Sequence, residues 1–281
     1  MEKTYAYFPG CSLATSAKEN NASLKSVCRR LGIRLQELED WNCCGSSSAH
    51  CIDGAMADKL AMRNLSLVPA AMTLVTACPS CHLRLRAAQH KLQSADTARQ
   101  DYRSWFGRAA DPELAIIHFF ELLDRIDWDA LLPQARERLR GLTFAPYYGC
   151  MLARPPVMRR EKNYHGIMER VLGHLGATPV SWAYGARCCG TFLSVVRPDV
   201  VTPMVRAIVA DAARNGAECL VTACAMCHLN LEVRSANGQS LPIFHFSEVL
   251  ALALGEGSPD AFFERHLIDP RPLLRTHRLW P

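Results

Sequence analysis

The chain has 281 residues, 49% apolar and 21% charged, which is enough for two folded domains and excludes an intrinsically disordered protein. Its net charge of +5 is mild and without a long basic block, which argues against nucleic acid as the main partner and suits anionic ligands. No basic stretch leads into an apolar one at the N-terminus, and no apolar run reaches the ~18 residues of a membrane helix, so neither a signal peptide nor a transmembrane segment is expected. We therefore expect a cytoplasmic, reducing location, where the 13 cysteines stay thiols and serve metal binding or redox chemistry.

Taken in order, the chain reads as one unit written twice. Tyr5-Ala6-Tyr7-Phe8 runs into Pro9-Gly10-Cys11, as Pro146-Tyr147-Tyr148 runs into Gly149-Cys150, each a short strand ending in a glycine turn. Apolar residues at helical spacing (Leu24, Val27, Leu31; Ile167, Val171, Leu175) predict helices over 17–31 and 163–175. Both stop at Leu-Gly, at Gly32 and Gly176, where glycine suits a left-handed C-terminal turn. Short strands over 33–38 and 179–184 lead to Cys43-Cys44-Gly45 and Cys188-Cys189-Gly190, and second helices over 54–65 and 201–214 cross back. An identical strand, Leu-Val-Thr-Ala-Cys, follows at 74–78 and 220–224, continued by Cys-His-Leu-x-Leu at 81–85 and 227–231. The last shared piece, a strand entering a helix, spans 117–123 and 244–250. Residues 96–111 read as an irregular insert and Asp127–Arg140 as an amphipathic joining helix. Residues 255–281 lie outside the repeat, and Pro270-Arg271-Pro272 suits a docking segment or a tail wrapped on the surface.

Alternating strands and helices predict an α/β fold of two pseudo-symmetric halves, each a small, largely parallel sheet flanked by helices. The expected division is a first domain over 1–126, a linker helix over 127–142, a second domain over 143–254 and a tail over 255–281. The cysteines fall where strands end and helices begin, the carboxyl edge at which open parallel sheets bind ligands. The metal sites are expected at that edge, one in each half, facing a shared cleft about a pseudo-two-fold axis.

Ten cysteines form the pattern: Cys11, Cys43, Cys44, Cys78 and Cys81, then Cys150, Cys188, Cys189, Cys224 and Cys227. In the first copy 31 residues separate Cys11 from Cys43 and 33 separate Cys44 from Cys78; in the second the gaps are 37 and 34. Thiolates are soft ligands that select zinc, copper(I) or iron–sulfur. Structural zinc takes four ligands and so does a plain cubane cluster, whereas each set here offers five. Adjacent cysteines reach one metal unit only from a loop, and the glycine after them frees the backbone to form one. Cys78-x-x-Cys81-His82 and Cys224-x-x-Cys227-His228 also match a c-type haem attachment pattern, but that reading leaves Cys-Cys-Gly unexplained and needs export. His82 and His228 are expected to cap or to donate to sulfur rather than to ligate, and His118 and His245 to be satisfied core histidines. Cys28, Cys51 and Cys219 lie off the pattern and read as small buried hydrophobes, with Cys51, close after Cys44, the best placed of them for an extra role.

On these motifs the chain resembles the B-subunit family of heterodisulfide reductases, defined by a doubled cysteine-rich CCG domain, over about residues 4–254. The resemblance implies two non-cubane four-iron clusters, one on each five-cysteine set, although one set could hold zinc instead. It implies an oxidoreductase subunit in which a disulfide is cleaved between the clusters, within a complex that also contains a ferredoxin-like subunit, through which electrons pass, and a flavin subunit. Related complexes of sulfur oxidisers run oxidatively on sulfur carried by a lipoate-binding protein, and the Arg- and Ala-rich composition tilts toward those. The same domain occurs in electron-transfer subunits of glycolate, lactate and succinate oxidation, and a zinc-binding scaffold is the reading from another class. Arg154, Arg159, Arg160 and Arg187, near Cys150 and Cys188 in sequence, are candidates to neutralise an anionic substrate tail.

Overall fold

The computed structural model describes residues 3–46, 49–128, 135–154, 164–235, 241–256 and 259–279. Among these, eight strands form two four-stranded sheets, each wholly parallel. The first contains β1 (Lys3–Phe8), β2 (Ile33–Glu37), β3 (Leu74–Thr76) and β4 (Ile116–His118) in the order β2-β1-β3-β4. The second contains β5 (Thr143–Tyr147), β6 (Thr178–Pro179), β7 (Cys219–Thr222) and β8 (Ile243–His245) in the order β6-β5-β7-β8. The two halves thus repeat one topology, as the repeat in the sequence predicts. In each sheet the chain steps one way from its first strand and then the other way, so the carboxyl ends of β1 and β3, and of β5 and β7, flank a topological switch point.

By packing, the chain divides into a unit of residues Met1–Ser16 with Gly32–Leu122 and a unit of Ala17–Leu31 with Leu123–Pro281. The first has its core around Ala6, Phe8, Met62, Leu74 and Leu85, packed between sheet and helices. The second is built around Ala145, Tyr147, Val205, Ile208, Leu220 and Leu231. Each large side chain removed from water contributes roughly 1.5–3 kcal/mol, and these clusters hold the helices on the sheets. The Lys18–Arg30 helix belongs to the second unit. Asn20 Nδ2 donates to Glu248 Oε1 at 2.7 Å, and the Ser23 and Ser247 hydroxyls meet at 2.7 Å. Division by repeat and division by packing therefore do not coincide at this helix.

Two local expectations are corrected, and a third falls partly outside the described residues. Residues 96–111 are not irregular: Asp96–Phe106 is a helix with Ala98 and Tyr102 buried and Gly107 closing it at φ +67°. Its dense charge hides an apolar face of only a few residues. The strand expected over 179–184 ends at Pro179. The last ladder bond there is Val180 N–H to Phe144 O, and the next donor position on β5 is Pro146, which has no N–H. Of the joining helix expected over 127–140, residues 129–134 lie outside the described residues, and 136–140 form turns. The tail contributes helices Pro259–Phe263 and Arg271–Thr276, with Phe262, Phe263 and Leu274 buried.

Candidate metal centre

In the first unit, β1 delivers Gly10 in the left-handed region at φ +74°, and this turn starts the Gly10–Ala14 helix that carries Cys11. A Cβ on Gly10 would lie 2.7 Å from Cys81 Sγ, so this residue must be glycine both for its φ and for the sulfur beside it. Cys78 follows β3 and precedes the Pro79–Ser94 helix, whose first turn holds Cys81. Cys43 and Cys44 sit on the loop after β2, which lets neighbouring side chains converge. That loop is tied down by two asparagines. The Asn42 N–H donates to Asn64 Oδ1 at 2.9 Å, Asn64 Nδ2 donates to Asn42 O at 2.9 Å, and Asn42 Nδ2 donates to Cys43 O at 2.8 Å.

The five thiols form one contiguous set. Cys11 and Cys43 stand 3.9 Å apart and Cys44 and Cys81 3.3 Å apart, while Cys81 hydrogen-bonds to both Cys44 and Cys78. Such crowding prevents them from ionising together. Hydrogen bonding with Cys11 first, and then with Cys44, pushes Cys43 down to about 2, against its burial. Cys44 is pushed up to about 12, first by Cys43, and Cys81 is raised well above the usual thiol range by Cys44 and Cys78. A bound cation is what would let all five exist as thiolates.

The second unit repeats the arrangement. Gly149 has φ +69° and lies 3.4 Å, by its virtual Cβ, from Cys227 Sγ. Cys189 and Cys227 are 3.3 Å apart, Cys150 hydrogen-bonds to Cys188, and Cys227 to Cys224. Cys188 is lowered to about 6, first by the Cys150 hydrogen bond and then, against its burial, by the Gly190 N–H and the Arg154 guanidinium. In both sets the Cys-x-x-Cys pair and the second cysteine of Cys-Cys-Gly are buried, while Cys11 is exposed and Cys43, Cys150 and Cys188 are half-buried. Each pocket therefore has a floor of three sulfurs and a rim of two that an outside group can reach. All thirteen cysteines are free thiols.

Several residues here escaped the sequence reading. Tyr147 is fully buried beside its thiol set, and its ionisation is suppressed by burial first and then by Cys227, Cys189, Cys188 and Cys150. Its hydroxyl donates to the Arg187 carbonyl. Asn230 Nδ2 holds the Cys189 carbonyl at 2.8 Å. The available signal for Asn64 was a polar residue on the apolar face of the Gly54–Ser66 helix, beside Ala57, Ala61 and Leu65.

His82 and His228, expected to cap or to donate to sulfur, meet oxygen partners. His82 Nδ1 meets Thr76 Oγ1 at 3.0 Å, and the two nitrogens of His228 meet Asn20 Oδ1 and Ile243 O. His228 directly follows Cys227 on a helix, so the two side chains point away from each other. His118 and His245 accept the N–H groups of Phe120 and Ser247 at the starts of their helices. Cys28 and Cys219 are buried as expected, whereas Cys51 is exposed, 3.4 Å from His50 Nε2, because the short Ala49–Ile52 helix carries it at the surface. Arg154 Nε binds the Ala186 carbonyl at 2.7 Å and Arg187 covers the Tyr184 ring at 4.3 Å. Arg159 and Arg160 lie outside the described residues.

The chain is similar to the 8-methylmenaquinol:fumarate reductase membrane anchor subunit of Wolinella succinogenes, with 27% identity over 97% of this chain and 100% of that one. It is also similar to a heterodisulfide reductase B-subunit-like protein of Archaeoglobus profundus, with 26% identity over 89% of this chain and 90% of that one. The B-subunit of a ferredoxin:CoB-CoM heterodisulfide reductase from Methanosarcina mazei shares 25% over 90% and 89%. No helix among the described residues is long and apolar enough to cross a membrane. A hypothetical protein of Helicobacter pylori has the same fold, with a TM-score of 0.75 at 13% identity, over 95% of this chain and 52% of that one. The CCG cysteine-rich domain matches residues 5–86 and 144–232, once around each five-thiol set, so the chain belongs to the CCG cysteine-rich domain family.

Proposed function

We propose that the chain is the catalytic component, equivalent to the B-subunit, of a heterodisulfide reductase-type oxidoreductase. One non-cubane iron–sulfur cluster would be held by Cys11, Cys43, Cys44, Cys78 and Cys81, and a second by Cys150, Cys188, Cys189, Cys224 and Cys227. The observation that carries this is the pair of contiguous five-thiol pockets. Four thiolates satisfy zinc or a cubane, so the fifth fits a larger metal unit. When bound, such clusters supply single electrons and soft iron that takes up a thiolate.

The chain's own residues do the rest. Gly10 and Gly149 bring backbone and thiol together without a Cβ between them. Cys11 and Cys43, and Cys150 and Cys188, form the reachable rim against which a substrate sulfur would lie. Arg154, which already favours the Cys188 thiolate, would draw in an anionic substrate tail. The reaction is RSSR′ with two electrons and two protons giving two thiols, or its reverse on lipoate-bound sulfur. Electrons would pass to or from the ferredoxin-like and flavin subunits of such a complex. A second reading, an electron-transfer subunit of a dicarboxylate-linked complex, is favoured by the end-to-end similarity to the fumarate reductase protein.

The test is paramagnetic resonance of anaerobically purified protein, with and without a dithiol. A new signal that appears only with the thiol supports disulfide chemistry. Cluster signals indifferent to thiols favour the electron-transfer reading and overturn the catalytic one.

A further inference from the structure

The second unit buries an acidic and imidazole cluster that the thiol chemistry does not use. Glu232 lies one turn after His228 on the Ala225–Ser235 helix, Glu248 opens the Phe246–Leu254 helix, and His266 comes from the tail. The side chains of Glu232, Glu248 and His266 are only 3%, 1% and 3% exposed. One donor atom each from His228, Glu248 and His266 lies within 4.8 Å of the others.

Two carboxylates cannot stay ionised away from water without compensating charge. Among the described residues the ion-pair partners of Glu232 and Glu248 are histidines alone. The duplication makes the point sharper. Cys81-His82 and Cys227-His228 align, and four positions past the histidine the first copy has Arg86 where the second has Glu232. Glu121 in the first copy corresponds to Glu248 in the second. One half encodes its own cation at this position; the other encodes a second anion and adds His266 from outside the repeat.

His266 is set as a metal-bound imidazole is set. Its Nε2 faces Glu248 Oε1 at 3.2 Å, and its Nδ1 faces Glu232 Oε1 at 3.1 Å, yet Nδ1 and that oxygen make no hydrogen bond. A small ring rotation would align the second pair, giving a carboxylate that fixes the histidine while its other nitrogen binds metal. Asn20 bridges two of the candidate ligands, with Nδ2 donating to Glu248 Oε1 at 2.7 Å and Oδ1 lying 3.3 Å from His228 Nδ1.

We propose that His228, Glu248 and His266 bind one divalent transition-metal ion of the zinc class, with Glu232 as the positioning residue for His266, at a site separate from both thiol sets. Imidazole and carboxylate suit zinc and its neighbours rather than copper(I). Ligand atoms on one tetrahedral zinc stand about 3.3 Å apart, so the three groups close by roughly an ångström or two. His228 and His266 each exchange one present hydrogen bond for the metal, His266 giving up its bond to Glu248 Oε1. The ion would clamp His266 and its neighbours to the helices that carry His228 and Glu248.

The test uses full-length, anaerobically purified protein exposed to equimolar zinc and then dialysed, with zinc, iron and labile sulfide measured together. His266→Gln should hold one zinc fewer per chain than wild type with iron unchanged. The zinc absorption edge of wild type should show nitrogen and oxygen at about 2.0–2.1 Å. Equal zinc in the two proteins, or only sulfur neighbours at about 2.3 Å, overturns the proposal. If His266→Gln does not fold, Glu232→Gln keeps every ligand and should weaken zinc binding about 10–100-fold in competition with a chelator. Unchanged affinity in that variant also overturns it. A nitrogen–oxygen zinc shell in iron-free protein would support this site while removing the cluster reading, so the two can fail separately.

Discussion

Replacing Gly10 with alanine should strip metal from the first thiol set, while the same change at Gly149 should leave the second set largely loaded. Both glycines have left-handed φ, +74° and +69°, so each substitution carries roughly 1–2 kcal/mol of backbone strain. The sulfurs distinguish them. The new Cβ would sit 2.7 Å from Cys81 Sγ at Gly10 but 3.4 Å from Cys227 Sγ at Gly149. The first distance is about 1 Å inside carbon–sulfur contact, and Cys81 is buried with its sulfur 3.3 Å from Cys44. Overpacking of this kind adds typically about 1–3 kcal/mol, bringing the Gly10 change to about 2–5 kcal/mol. Carried by the loaded state, the excess over Gly149 corresponds to about 5- to 150-fold in metal affinity. Iron and labile sulfide per chain are the assay, with thermal unfolding of the metal-free variants as the control for the strain itself. Full loading of Gly10→Ala, or equal loss in both variants, would refute the argument.

Other outcomes follow from the same structure. Cys44→Ser and Cys189→Ser should each lose iron, whereas Cys28→Ser and Cys219→Ser should keep it; Cys28→Ser should lower unfolding free energy by roughly 1–3 kcal/mol because it buries a hydroxyl, and Cys219→Ser by less because the Thr143 carbonyl lies 4.0 Å from Cys219 Sγ. Gly176→Ala should cost roughly 2–5 kcal/mol in urea unfolding, since φ is +97° and the Cβ would meet Glu137 Cα at 2.8 Å. Gly32→Ala, at φ +68° with nothing within 4 Å, should cost only roughly 1–2 kcal/mol. In metal-free protein, His266 is opposed by burial but held by Glu248 and Glu232, and its pKa rises from 6.5 to about 10. Its folded-state value lies above its unfolded one, so this stability is complete below pH 6.5 and is lost as pH rises through 10. Unfolding midpoints should fall more steeply over that window in wild type than in His266→Gln, and parallel profiles would contradict the ion-pair geometry.

The α/β class was legible because strand and helix patterns alternate twice, with turns and glycines at matched places. The missing part of β6 was not, because it depends on the pairing of Pro146 with a strand far away in sequence. The Asp96–Phe106 helix was obscured because its apolar face rests on Ala98, Tyr102 and Phe106 amid charge. At the thiol sets, spacing defined which cysteines to compare. It said nothing of the Asn42–Asn64 lock or of Tyr147, since those act through contacts between distant segments. The His228, Glu232, Glu248 and His266 cluster was invisible for the same reason: its members come from two helices and the tail, and only folding brings them together.

The central claim, that each five-thiol set carries an iron–sulfur unit, is tested most directly by measuring iron, zinc and acid-labile sulfide per chain after anaerobic purification. The account predicts iron and sulfide matching two four-iron clusters, with about half lost in Cys44→Ser and the other half in Cys189→Ser. Protein without sulfide, with only zinc on its thiols, would contradict it.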